Sequence, residues 1–112
     1  MRKLYLDALA RQQLELASAS TSGRAGHTVV GGHENLLRQT LIALLAGRVL
    51  SEHSPSNEAT LEVRSGRVRL VVGDDSWDGR RGDLLIVPAA PYSLEALQNS
   101  VVLLTVAKRL HR

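Results

Sequence analysis

The sequence predicts an all-β barrel or sandwich preceded by one α-helix. Two observations carry this reading. From residue 59 onward, short runs rich in Val and Leu alternate with clusters of Gly, Pro, Asp, Asn and Ser, the spacing of a sandwich or barrel. Before residue 18 the apolar residues recur instead at intervals of three and four, the period of a helix. With 112 residues, 44% hydrophobic and 22% charged, the chain has the size and composition of one globular domain. It divides into a helix and loop over residues 1–22 and a barrel over 23–112.

Residues 4–17 place Leu4, Tyr5, Ala8, Leu9, Gln12 and Leu16 on one stripe, with Asp7, Arg11 and Glu15 between them. Ser18-Ala19-Ser20-Thr21-Ser22-Gly23 then reads as a loop. Residues 36–46 are ambiguous: Leu36, Leu37, Thr40, Leu41, Leu44 and Leu45 fall on a helical stripe, and period alone favours a helix there. Ser65-Gly66 predicts a two-residue hairpin that pairs Arg64 with Arg67, Val63 with Val68, Glu62 with Arg69 and Leu61 with Leu70. That register puts both apolar pairs on one face and an opposite-charge pair on the other. Gly73 to Ser76 and Asp78 to Asp83 are turn clusters around a short segment at Trp77. Leu84 to Val87 and Val101 to Ala107 are the last strands, separated by the Pro88 to Pro91 loop and the Gln98-Asn99-Ser100 turn.

Several function classes drop out. The chain has no Cys, which removes disulfide frameworks, cysteine zinc sites and a thiol nucleophile. No Ser stands in a G-x-S-x-G elbow, and with Lys only at 3 and 108 no phosphate loop ending in G-K-[ST] is possible. The longest stretch free of Asp, Glu, Lys and Arg, Ala96 to Ala107, falls short of the ~20 apolar residues that span a bilayer. The first residues meet Asp7 and Arg11 before any signal-like apolar run forms, so a cytoplasmic protein is expected. The net charge of +3 hides an uneven distribution. Residues 34–107 hold seven Arg against nine Asp or Glu, whereas Lys108, Arg109 and Arg112 at one end and Arg2, Lys3, Arg11 and Arg24 at the other supply the positive excess. An acidic body with basic ends is no phosphate-tracking surface, and no nucleic-acid partner is expected.

Two spaced patterns then point to a family. Gly47, five residues, and His53 match the start of a motif that continues histidine, glutamate, glycine; Gly66 supplies its closing glycine, but Pro55 and Ala59 stand at the second histidine and the glutamate. Gly82, five residues, and Pro88 match a second motif, in which Ala90 replaces a glycine and Ser93, or Tyr92 in a shorter loop, stands at the histidine. In these features the chain resembles the cupin superfamily over about Leu36 to Ala107. The resemblance implies a cupin-like jelly-roll β-barrel, makes residues 36–46 a strand, and implies a homodimer. It also implies that most of the family's metal-ligand positions are substituted, so no cofactor is expected.

The expected site is a small-molecule pocket in the lumen with no catalytic residues, lined by His53, Tyr92, Gln39 and Glu58. His53 is aimed inward by the resemblance and is the one candidate metal ligand, although a metal would need two or three partners. Glu58 adjoins the glutamate position and reaches the lumen only if the strand is bulged there. Tyr92 offers a phenol for hydrogen bonding. Alternation puts either Gln39, or Arg38 and Thr40 together, on the inner face, and an outer position is favoured for Arg38. His27 and His33 read as exposed loop histidines, His111 as a chain-end residue, and Trp77 as a surface or interface anchor. The expected function is small-molecule binding without metal-dependent catalysis. The alternatives are a metal-dependent cupin oxygenase or isomerase using His53, and a regulatory module contacting DNA through its ends.

Overall fold

A computed structural model describes residues 1–52 and 58–108. The helix α1 (Leu6–Ala19) is followed by nine strands: β1 (Arg24–Val30), β2 (Leu37–Leu44), β3 (Val49–Glu52), β4 (Glu58–Ser65), β5 (Arg67–Val72), β6 (Asp75–Arg80), β7 (Leu84–Val87), β8 (Tyr92–Ala96) and β9 (Ser100–Ala107). They form two antiparallel sheets, a five-stranded one in the order β1-β2-β9-β4-β7 and a four-stranded one in the order β3-β8-β5-β6. This is the all-β jelly roll with an N-terminal helix.

Residues 37–44 are a strand. The helical stripe in that segment is real as a pattern but serves two cores at once. Ile42 and Leu44 pack between the sheets with Leu61, Val63, Val68, Leu70, Leu94 and Val102, whereas Leu41 and Ala43 turn to the outer face, under α1, with Val101 and Leu103. A strand buried on both faces loses its polar alternation, and so period alone misread it.

The same outer core fixes the helix. Its buried residues are Ala10, Gln13 and Ala17, flanked by Leu6, Leu9 and Leu14. This is a different stripe from the expected one, since Leu4, Tyr5 and Leu16 remain exposed. Small Ala10 and Ala17 let the helix backbone approach the sheet closely, which a stripe centred on Leu16 would prevent. The helix starts and ends two residues later than expected.

The Ser65-Gly66 hairpin does not form. β4 pairs with β7 and β9, β5 pairs with β6 and β8, and the chain passes from one sheet to the other at Gly66. The Arg67 carbonyl is taken by the 97–100 turn, accepting from the Leu97 N–H at 2.9 Å and the Ser100 hydroxyl at 3.0 Å, so it is not available to Arg64. Leu61, Val63, Val68 and Leu70 still meet in one core, across two sheets rather than along one ribbon. The expected Glu62–Arg69 pair is replaced: Arg69 makes two bonds to Asp78, at 2.7 and 3.2 Å, and Glu62 lies 3.5 Å from Arg64. The tight hairpin is Gly73-Asp74, joining Val72 to Asp75. Asp78, Gly79 and Arg80, expected in a turn cluster, belong to β6.

Candidate functional site

The connections define two ends of the barrel. At one end lie Gly66 and the 45–48, 81–83 and 97–99 connections, closed by Ala46 N–H donating to Asn99 at 2.9 Å and Ser100 donating to the Arg67 carbonyl. At the other lie the 31–36 loop, the Gly73-Asp74 turn, the 88–91 loop, and the ends of β3 and β9. This second end is the mouth.

Cross-strand pairing sorts the candidate residues by face. Arg38, Val106, Ala59 and Val87 form one row at the mouth, on the inner side of the five-stranded sheet. The next row inward carries Thr28, Thr40, Leu104, Leu61 and Leu85, with the Thr28 and Thr40 hydroxyls 3.3 Å apart. On the facing sheet, Glu52 pairs with Tyr92, and Leu50 with Leu94 and Leu70 behind them. By register, Arg38, Thr28, Thr40, Glu52 and Tyr92 thus stand toward the same end of the two sheets, with Arg38, Thr28 and Glu52 exposed and Leu61, Leu70, Leu94 and Leu104 in the core between the sheets.

Tyr92 is half-buried against the inner core, and Ser93 points the other way, so Tyr92 is the inward residue of the two that could stand at the second-motif histidine. Burial raises the phenol pKa by desolvating the phenolate, and the Glu52 carboxylate raises it further by repelling a second negative charge, so both favour the neutral phenol.

Two expected site residues lie elsewhere. Gln39 shares its face with Leu41 and Ala43, on the helix side of β2, where its amide donates to the Thr105 hydroxyl at 3.1 Å. Arg38 and Thr40 hold the inner register positions of β2 instead, with Arg38 exposed near the start of the strand. Glu58 pairs with Ala107 and Ala59 with Val106, with no irregularity in β4 before Val63, so the bulge Glu58 needed is absent and its side chain faces out. His27 pairs with Leu41 on the outer face of β1, and His33 is exposed in a loop at the mouth. His53, Pro55 and His111 lie outside the described residues. Glu52 went unnoticed in the sequence, although alternation from Leu50 across its β8 partner aims it inward.

Ala59 packs against the inner core, and the half-buried Tyr92 phenol lies on the facing sheet. Among the described residues no group of three or more His, Cys, Asp or Glu could hold a metal ion.

Two antiparallel sheets with one N-terminal helix have the architecture of the cupin fold. The solved structures bear this out. A cupin superfamily protein from Desulfitobacterium hafniense matches with a TM-score of 0.70 at 15% identity, over 77% of this chain and 78% of that one. An RmlC-like cupin protein from Desulfovibrio desulfuricans matches with a TM-score of 0.65 at 25% identity, over 75% and 81%. A salicylate 1,2-dioxygenase from Pseudaminobacter salicylatoxidans matches with a TM-score of 0.76 at 17% identity, over 89% of this chain but 33% of the enzyme. The barrel thus corresponds to about a third of that enzyme, and the likeness is one of fold. No protein-family model and no curated protein matches the sequence. No helix among the described residues is long and apolar enough to cross a membrane.

Proposed function

We propose that the barrel binds a small organic molecule at the mouth of its interior, without metal-dependent catalysis. The observation that carries the proposal is Tyr92, an inward, half-buried phenol on one sheet, with Thr40 and Arg38 at inward register positions of the other. Apolar walls with a few convergent polar groups are the usual make-up of a small-molecule site. The arrangement suits a ligand with an apolar body and an oxygen-bearing head, the body over Leu61, Leu94 and Leu104 and the head between Tyr92 and Arg38.

The test is mass spectrometry of small molecules retained by the untagged protein, followed by titration of what is found. Tyr92→Phe removes one hydrogen bond of about 0.5–1.5 kcal/mol and is expected to weaken binding by roughly 2- to 12-fold. Equal binding by Tyr92→Phe and by Arg38→Met would overturn the placement of the ligand at the mouth.

A further inference from the structure

We propose that the free edge of β7 takes up a short extended peptide segment of another protein, which adds a strand to the five-stranded sheet. β7 ends that sheet and β6 ends the other, and both border one groove. The two edges converge at Gly79, where a Cβ would stand 3.1 Å from Val63 and 3.2 Å from Leu85. Toward Trp77 an open groove of about 400 Å³ remains, with Leu70, Trp77, Leu84, Leu85 and Ile86 as its apolar lining. Leu84, Leu85 and Ile86 are consecutive, and strand side chains alternate between faces, so a groove that touches all three runs along the backbone edge.

The polar groups on that edge follow from the pairing with β4. The Val63 N–H donates to the Asp83 carbonyl at 2.9 Å, and hydrogen-bonded pairs recur at every second residue, here Leu61 with Leu85 and Ala59 with Val87. The N–H and C=O of Leu84 and Ile86 therefore turn away from β4, toward the groove. Donors and acceptors at this spacing match an extended backbone. The side chains on both faces of such a strand also gain apolar cover. Leu84 and Ile86, 58% and 69% exposed, flank it outside, and Leu70 and the half-exposed Trp77 flank it inside. β7 holds no charge and no Pro that would discourage pairing. The charged groups lining the groove are Asp78, already held by Arg69 and Arg67, and Asp83, which has no ion-pair partner among the described residues. The fitting partner is thus an apolar strand with a Lys or Arg beside Asp83, at its C-terminal end when it runs antiparallel to β7. The 83–88 run of a second copy carries no cation and does not meet this requirement.

Titration of the full chain with the synthetic peptide acetyl-Thr-Val-Val-Val-Arg-amide tests the proposal, read by the emission of the single Trp and by the amide NMR signals of β7. Binding should move Trp77 emission to the blue and shift the Leu84 and Ile86 amides more than those of Leu85 and Val87. The same peptide ending in Glu should bind about twofold or more weakly. Asp83→Asn, whose side-chain oxygen can still accept from the Arg80 N–H, should erase most of that preference. Ile86→Pro removes an edge N–H that β4 does not use, and edge strands tolerate Pro at such a position. Its thermal midpoint should stay close to that of the native chain, while affinity for the peptide falls by about 2- to 12-fold. Ile86→Val keeps the N–H and should bind as the native chain does. No binding at millimolar peptide would overturn the proposal. So would equal binding by Ile86→Pro, a preference for Arg that survives Asp83→Asn, or self-association that shifts the same amides without peptide, which would make a second copy the occupant.

Discussion

Gly66 meets two demands at once. Its φ of +79° lies in the left-handed region, and a Cβ at that position would collide with the Asn99 carbonyl and Ser100. A β-branched side chain suffers both, so Gly66→Val should cost about 2–4 kcal/mol in a denaturant melt, and an unchanged midpoint would refute the close approach. Gln13 carries an opposite lesson, since its side-chain oxygen is buried under the helix with no hydrogen-bond partner among the described residues. Gln13→Leu should therefore stabilise the protein by about 1 kcal/mol. Tyr92 can be read by titration. In a Tyr5→Phe background the remaining phenol should ionise above the ordinary value of about 10. Because the folded state holds this proton more tightly, the associated stability is complete below about pH 10 and is lost as pH rises through the folded pKa. Tyr92→Phe should lack that alkaline loss, and an ordinary midpoint for the phenol would contradict its burial. At this scale the sequence revealed the scaffold better than the site. The motif glycines Gly47, Gly66 and Gly82 all take positive φ, a constraint that leaves a mark in sequence. By contrast, Gln39 and Arg38 differ by one position, and only strand pairing decides which of them faces in.

β5 shows inward Val68 and Leu70 alternating with less buried residues, a pattern that reads directly as strand, whereas β8, with Leu94 and Ala96 inward in the same way, was not read as a strand between its flanking loop and turn. β2 is sandwiched between the barrel core and α1, so its apolar residues lost the period of two. Only the resemblance resolved it. The 65–66 connection failed for a different reason, because a turn signal marks where the chain bends but not whether the next strand joins the same sheet. The helix rests on this geometry. Ala17 is fully buried between α1 and the outer face of β2 and β9. Ala17→Phe should overpack that layer and cost about 1–3 kcal/mol, measured as a fall in thermal midpoint. The same substitution at Ala19, exposed on the helix, should leave the midpoint close to that of the native chain.

As a whole, the molecule carries two cores on one five-stranded sheet, one inside the barrel and one beneath the helix, and an acidic body with basic ends. Each phosphate neutralised by a DNA-binding protein lowers its affinity by about 0.9 log units per log unit of salt. With so few cations clustered together, no sequence-dependent duplex complex is expected at about 150 mM salt. A submicromolar one in a fragment titration would favour the regulatory reading. The central claim is that the lumen is an organic-ligand pocket rather than a metal centre. Its most direct test is elemental analysis of untagged protein after incubation with Fe, Mn, Ni or Zn and removal of the excess. The account predicts far less than one equivalent of any of them per chain, whereas a full equivalent that disappears on His53→Ala would contradict it.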